Sequence, residues 1–363
     1  MTTIEKTSAP AKANSLTSGR LPKATPWIVL AASWALMAVV FGFANIGNPV
    51  GDFNIAATVF LGTVLFVAAI YVISSIVEGQ RKATDRFITA IVSAAFLVAL
   101  LPLISLLFTV LVNGIARFDI EFFTYSMRNV IGDGGGAIHA IWGTLLITLA
   151  ATIISVPIGL MTSIYLVEYG SRSKLGKAIT FFVDVMTGIP SIVAGLFAYS
   201  LFVVFFGPGI SNGFMGAVAL SVLMIPVVVR SSEEMLRLVP NELREASYAL
   251  GVPKWLTIVK VVLPTSIAGI TTGVMLAIAR VIGETAPLLL TAGYTASLNL
   301  NLFEGNMMTL PVFVYNQYAN QGTSPDSAIS RAWAGALTLI LIVMVLNLAA
   351  RAVAKFFAPK TGR

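Results

Sequence analysis

The chain has 363 residues, a formal charge of +7, 57% hydrophobic residues and only 11% charged ones, against about 25% charged in an ordinary soluble domain. That balance excludes a soluble enzyme, and the scatter of basic residues between apolar runs excludes a nucleic-acid binder, which gathers them on one face. With no cysteine and His139 as the single histidine, disulfides and thiolate chemistry are excluded and a histidine metal site is disfavoured.

Residues 1–26, rich in Thr, Ser, Ala and Lys and without apolar periodicity, read as a disordered cytoplasmic tail. Eight apolar stretches come after it, near 27–44, 55–76, 87–112, 140–166, 178–206, 214–229, 266–282 and 332–350. Each can cross a hydrocarbon core of about 30 Å, so the fold class is an all-α polytopic membrane protein. A second long run comes close behind the first, which marks the first as a retained span rather than a leader. With the N-terminus inside, every basic residue except Arg117, Arg128, Arg280 and Arg331 falls in a cytoplasmic segment. That bias supports the span count and puts both termini in the cytoplasm.

Residues 134–136, three glycines before span four, read as a flexible hinge, with an anion-binding backbone turn as the alternative. Span five holds Asp184 and Pro190, and span seven ends in Arg280, Gly283, Glu284 and Pro287. Both are broken segments, and a freed backbone group in hydrocarbon needs a protein or water partner, so both should face protein or a cavity. Glu284 stands four residues after Arg280, one helical turn on and on the same face. The two read either as an exchangeable ion pair lining a path or as a structural pair. Arg230 ends span six, where a positively charged anchor is the simpler reading.

Between spans six and seven, residues 231–264 include the longest polar segment on the cytoplasmic side and read as two short helices. Ser231 or Ser232 can cap the first, Pro240 can enter the second, and Gly251 suits a left-handed stop. Leu243, Ala246 and Leu250 fall on one small apolar face, the form of a helix that seats in a groove on another protein. ATP hydrolysis by this chain is not expected: the nearest string to a phosphate loop, residues 170–178, has one residue too many between its glycines and puts Ala178 where the magnesium-binding hydroxyl belongs.

The string Glu245-Ala-Ser-Tyr-Ala-Leu-Gly251, with Val261-Val-Leu263-Pro264 beyond it, resembles the EAA loop of binding-protein-dependent ABC importer permeases. Six further strings in order, among them Thr187-Gly-Ile-Pro190-Ser-Ile-Val-Ala-Gly195 and Ala279-Arg280-Val-Ile-Gly-Glu284-Thr-Ala-Pro287, resemble the PstA family of phosphate-importer permeases. The resemblance implies a type I permease core of six helices over residues 87–356, containing the coupling loop at 231–264. Residues 27–77 are then two extra spans of no implied role.

The resemblance also implies a bacterial inner-membrane complex. Its members would be a PstC-type permease as heterodimer partner, two PstB-type ATPase copies that use ATP and Mg, and an external PstS-type phosphate-binding protein; this chain itself would bind no cofactor. Glu245, Ala246, Ser247 and Gly251 would dock the ATPase, with Ser247 standing where the family has a second alanine. Arg280, Glu284 and Arg230 would serve the substrate path, where guanidinium matches an oxyanion's fork of oxygens. A permease for another oxyanion, a proton-coupled carrier relaying through Asp184, Arg280 and Glu284, and a membrane-embedded enzyme are the rivals. The carrier reading leaves the EAA-like loop unexplained.

Overall fold

A chain of long apolar runs interrupted by Gly and Pro can satisfy its backbone in lipid only as helices or a closed barrel, and the described residues contain helices and no strand. The computed structural model describes residue 19 and residues 21–44, 55–170 and 173–357. Most of the tail expected before residue 27 lies outside them. The chain divides into one unit up to Leu107 and a second from Phe108.

In the first unit α1 (Thr25–Ala44) and α2 (Ile55–Val77) pack together. Trp34 Nε1 donates to Thr63 Oγ1 at 3.2 Å. Gly62 makes room for that indole, since a Cβ there would stand 2.5 Å from Trp34 Cδ1. Gly79, at φ +87°, turns the chain into α3 (Gln80–Gly114). Beside it the Glu78 carboxylate accepts from Leu21 N (2.9 Å), Ser74 Oγ (2.9 Å), Arg86 Nε (2.6 Å) and Arg86 Nη2 (3.0 Å). The Arg86 guanidinium is the main cause that holds Glu78 at about 2, below its ordinary 4.5, against the opposing pull of burial.

The second unit takes in the end of α3, then a 3₁₀ turn, Ile115–Arg117, and the short α4 (Ile120–Thr124), capped by Asp119, which accepts from Phe122 N at 2.8 Å. Then come α5 (Ile138–Ile164) with a π turn at Tyr165–Tyr169, α6 (Lys174–Thr187), α7 (Ser191–Phe206) and α8 (Gly213–Arg237). The loop helix α9 (Asn241–Ala249) leads to α10 (Lys254–Thr257), a second π turn at Ile258–Val262 and α11 (Leu263–Val281). Two short helices, α12 (Ala286–Thr291) and α13 (Leu310–Ala319), precede α14 (Pro325–Phe357).

Among the described residues seven helical runs are long and apolar enough to cross a membrane, or eight if the bent α6–α7 pair counts as one span. Span five is therefore not a straight crossing. Pro190 lacks an amide hydrogen to continue the ladder, and α6 and α7 meet at 111°. Hydropathy does not reveal α12 and α13, too short to cross, yet Leu288, Ala292, Met307, Met308, Leu310 and Phe313 all join the main core with Ile147, Leu220 and Met224. Small residues let the backbones approach where lipid gives no hydrophobic drive. A Cβ on Gly143 would lie 1.9 Å from the Met308 carbonyl oxygen, and one on Gly195 2.7 Å from Pro287 Cα. The two broken segments thus lean on each other at Gly195 and Pro287.

The three glycines at 134–136 are not a hinge. Gly134 and Gly135 hold φ +86° and +70°, and Arg331, 4% exposed, donates through Nη1 to the carbonyls of Gly132 (3.0 Å) and Gly134 (2.9 Å). Arg117 Nη2 donates to Gly135 O at 3.0 Å. Nor is the turn an open anion nest, because the Gly135 amide already donates to Glu121 Oε1 at 2.9 Å. Sequence bias marks Arg117 and Arg331 only as outer-loop charges; their work is to hold this turn.

Candidate functional site

Residues three and four apart share a helix face, so Arg230, Glu233 and Arg237 form a charged stripe on α8. Arg230 Nη1 donates to Glu233 Oε2 at 2.8 Å and Arg237 Nη2 to Glu233 Oε1 at 2.6 Å. Through Nη2, Arg230 also pairs with Asp184 of α6. The Glu233 side chain is 7% exposed, whereas that of Asp184 is 59% exposed. A cavity of about 200 Å³ adjoins this stripe, lined by Lys177, Thr180, Glu233 and Arg237 among others.

α8 runs unbroken to Arg237, which corrects two expectations. Ser231 and Ser232 cap nothing; Ser231 Oγ donates back to Val227 O at 2.8 Å within the helix. Arg230 does not end its span but lies seven residues before the helix end, about 10 Å along it. Its partners make it a junction between α6 and α8 rather than a terminal anchor.

The Arg280–Glu284 pair is not formed. α11 stops at Val281, and Glu284 N closes a tight turn on Val281 O at 3.1 Å, so the helical spacing that would bring the two side chains together ends between them. Among the described residues neither makes an ion pair. Arg280 is exposed and Glu284 half-buried. Because Gly269 backs onto Met235 and Gly273 onto Ser231, α11 runs antiparallel to α8. Arg280, seven residues past Gly273, therefore stands about 10 Å along the bundle from Arg230, a separate rung of positive charge.

The loop after α8 is held from inside. Arg244 donates through Nη2 to Glu168 Oε1 (2.9 Å) and Leu236 O (3.0 Å), and through Nη1 to Val239 O (2.6 Å). Its side chain and that of Glu168 are 12% and 5% exposed, so the pair ties α9 to the π turn that ends α5. Lys254 adds a bond to Glu168 O and lies 4.6 Å from the Tyr169 ring centroid. Ser247 faces inward and shares a 2.8 Å hydroxyl bond with Thr257. Outward stand Glu245 and Ala246 with Leu243, Tyr248 and Leu250, the last 83% exposed. Gly251 ends the helix at φ +74°, as expected.

Nothing in the sequence signals the Glu168–Arg244 pair, 76 residues apart. The α8 stripe does carry a signal, the three- and four-residue spacing of Arg230, Glu233 and Arg237.

The family of the binding-protein-dependent transport system inner membrane component matches residues 155–363, which include α6 to α14 and all of the α9 loop. Fold and loop together define a multi-span membrane permease of that class. Three curated relatives are more specific. The phosphate transport system permease protein PstA 1 of Mycobacterium tuberculosis is 48% identical over 288 residues, 78% of this chain and 91% of the relative. PstA of Mycobacterium leprae is 47% identical over 74% of this chain and 88% of its own length, and PstA of Yersinia pestis 40% identical over 76% and 92%. The chain belongs to the PstA family of such permeases. In fold it is similar to the inward-facing MetNI methionine ABC transporter, with TM-score 0.51 and 21% identity over 61% of this chain and 95% of that one.

Proposed function

We propose that the chain is one permease half of an ATP-driven importer of inorganic phosphate in a bacterial inner membrane. The observation that carries the substrate is the 48% identity to a phosphate permease over 91% of that relative's length. The partners would be a PstC-type permease, two PstB-type ATPase copies holding ATP and Mg, and a PstS-type binding protein outside. Both termini and the α9 loop would face the cytoplasm.

Two rungs of guanidinium then line the path. Phosphate carries about −1.5 to −2 near neutral pH and would meet Arg280 first, with Glu284 nearby as the carboxylate that competes with it. At Arg230 it would displace the exposed Asp184, while Glu233 stays bound to Arg237 and keeps the stripe from becoming a trap. The ATPase would take the face of α9 bearing Glu245, Ala246 and Leu250, with Gly251 setting its end and Ser247 packing it from behind. The Glu168–Arg244 pair would pass loop movement to α5.

The test is uptake of labelled phosphate by a strain lacking this gene, with and without the wild-type chain. Restored uptake that excess sulfate and molybdate do not compete away is expected. Failure to restore it in an assembled complex, or equal competition by another oxyanion, overturns the assignment.

A further inference from the structure

Among its described residues the first unit has a half-open cavity of about 900 Å³, at the upper end of the roughly 300–1,000 Å³ usual for small-molecule sites. Helices that merely face bulk lipid need no such space. Here α1 packs on α2 while α3 meets that pair sparsely, and the gap opens beyond the Gly79 turn. Trp27, Leu30, Trp34, Phe66, Ile70 and Leu97 make one end apolar. The other end presents Glu78, Lys82, Asp85 and Arg86, all near the turn.

The charges at that end sort into two kinds. Glu78 and Arg86 neutralise each other at 2.6 Å. Lys82 and Asp85 close no ion pair with any described residue, although Asp85 lies in the field of Arg86. Three residues apart on α3, they share a face. The slot is left with one unspent cation and one unspent anion above its apolar end, and the hydroxyls of Thr89 and Ser93 also line it. A phosphate diester bearing a primary ammonium, on an acyl chain, has the complementary order of charge.

We propose that the groove between α1, α2 and α3 binds one phosphatidylethanolamine-type phospholipid, its phosphate on Lys82, its ammonium on Asp85 and an acyl chain along Trp34, Phe66 and Ile70. The two extra spans thereby carry a lipid site of their own, independent of the translocation path.

The assembled transporter, reconstituted in bilayers of equal parts phosphatidylethanolamine and phosphatidylglycerol, would be released into native mass spectrometry. One retained phosphatidylethanolamine per copy is expected. Lys82→Gln should lower retention about five-fold, the scale of one basic side chain at a headgroup. Asp85→Asn should move the preference toward phosphatidylglycerol. Ile70→Trp should empty the slot, and its thermal midpoint shows whether the complex still folds. Retention unchanged by both charge variants overturns the proposal, as does a wild-type preference for phosphatidylglycerol. A several-fold rise in bound lipid on deleting residues 1–18 overturns it too, since the chain's own tail would then be the occupant.

Discussion

In α8, 67% of the most apolar stretch is buried in protein; in α1 the figure is 6% and in α3 also 6%. All three are apolar enough to cross a membrane, so hydropathy does not decide which helix is a hub. Small residues and buried polar bonds do. α8 is met by Gly159 and Gly273 and carries the Arg230–Glu233–Arg237 stripe, whereas the first unit rests on Trp34 against Gly62 and on one buried carboxylate at its turn. Apolar surface facing lipid gains nothing by moving onto another helix, and close backbone approach supplies the specificity instead.

Matched glycines put this contrast to its most severe test. Gly143→Ala drives a Cβ into the Met308 carbonyl, while no described residue stands within 4 Å of a Cβ on Gly42 in α1. The first change should cost about 3 kcal/mol or more through overpacking and the second should gain about 0.5–1 kcal/mol of helix propensity. Thermal midpoints of the two purified variants decide it, and equal shifts would dismiss the close-packed hub.

Next in size is Glu168→Gln, which strands the Arg244 guanidinium in a nearly buried site at a cost of about 3–5 kcal/mol. The loss should fall on the α9 loop, so stimulated ATP hydrolysis by the complex drops while the permease still inserts. Unchanged stimulation would show that the clamp carries no coupling.

Smaller effects on stability are expected at the arginine rungs, where uptake is the property that should fall. Arg230→Gln leaves Glu233 with Arg237, and Arg280→Gln removes a side chain that makes no ion pair among the described residues. Both variants should assemble nearly as well as wild type yet lose most phosphate transport, and Arg280→Lys should restore little because it lacks the planar fork. Collapse of the Arg280→Gln complex would instead mark that residue as structural.

The smallest effect belongs to Glu78 in the first unit. Its folded pKa is depressed to about 2 from 4.5, so its contribution is present in full above pH 4.5 and is lost as pH falls toward 2. Local protection of the amides around Gly79 in hydrogen exchange should fall across that window and not in the neutral range. In Arg86→Gln the loss should begin at higher pH, since the main cause of the depression is gone; an identical profile would contradict the role given to Arg86.

The long apolar helices and the two broken segments are legible in the sequence because apolar length and a proline in an apolar run act locally. The left-handed end at Gly251 is legible for the same reason. Contacts across the chain are not. That Arg331 clamps residues 132 and 134, that Asp184 meets Arg230, and that Glu168 meets Arg244 depend on which helices adjoin, and no spacing encodes that. The Arg280–Glu284 reading fails for an intermediate reason: the four-residue rule holds only while the helix lasts, and Gly283 and Pro287 around Glu284 are signs that it does not. Ser231 misleads in the opposite sense, since a cap-forming residue inside a helix can satisfy itself by bonding back to a carbonyl one turn earlier.

Each of the two π turns, Tyr165–Tyr169 and Ile258–Val262, is a stretch of helix holding one residue more than its α ladder needs. The widened turn takes up the surplus locally, so striking out one residue of 165–169 should restore the ladder without turning the chain beyond it, and only the side chains within the turn should change aim. Glu168 sits inside the first of these turns. The link between α5 and the α9 loop is therefore set by chain length as well as by side-chain identity: a one-residue deletion that keeps both charges should shift the Glu168 carboxylate relative to Arg244 while α5 and α6 stay in place.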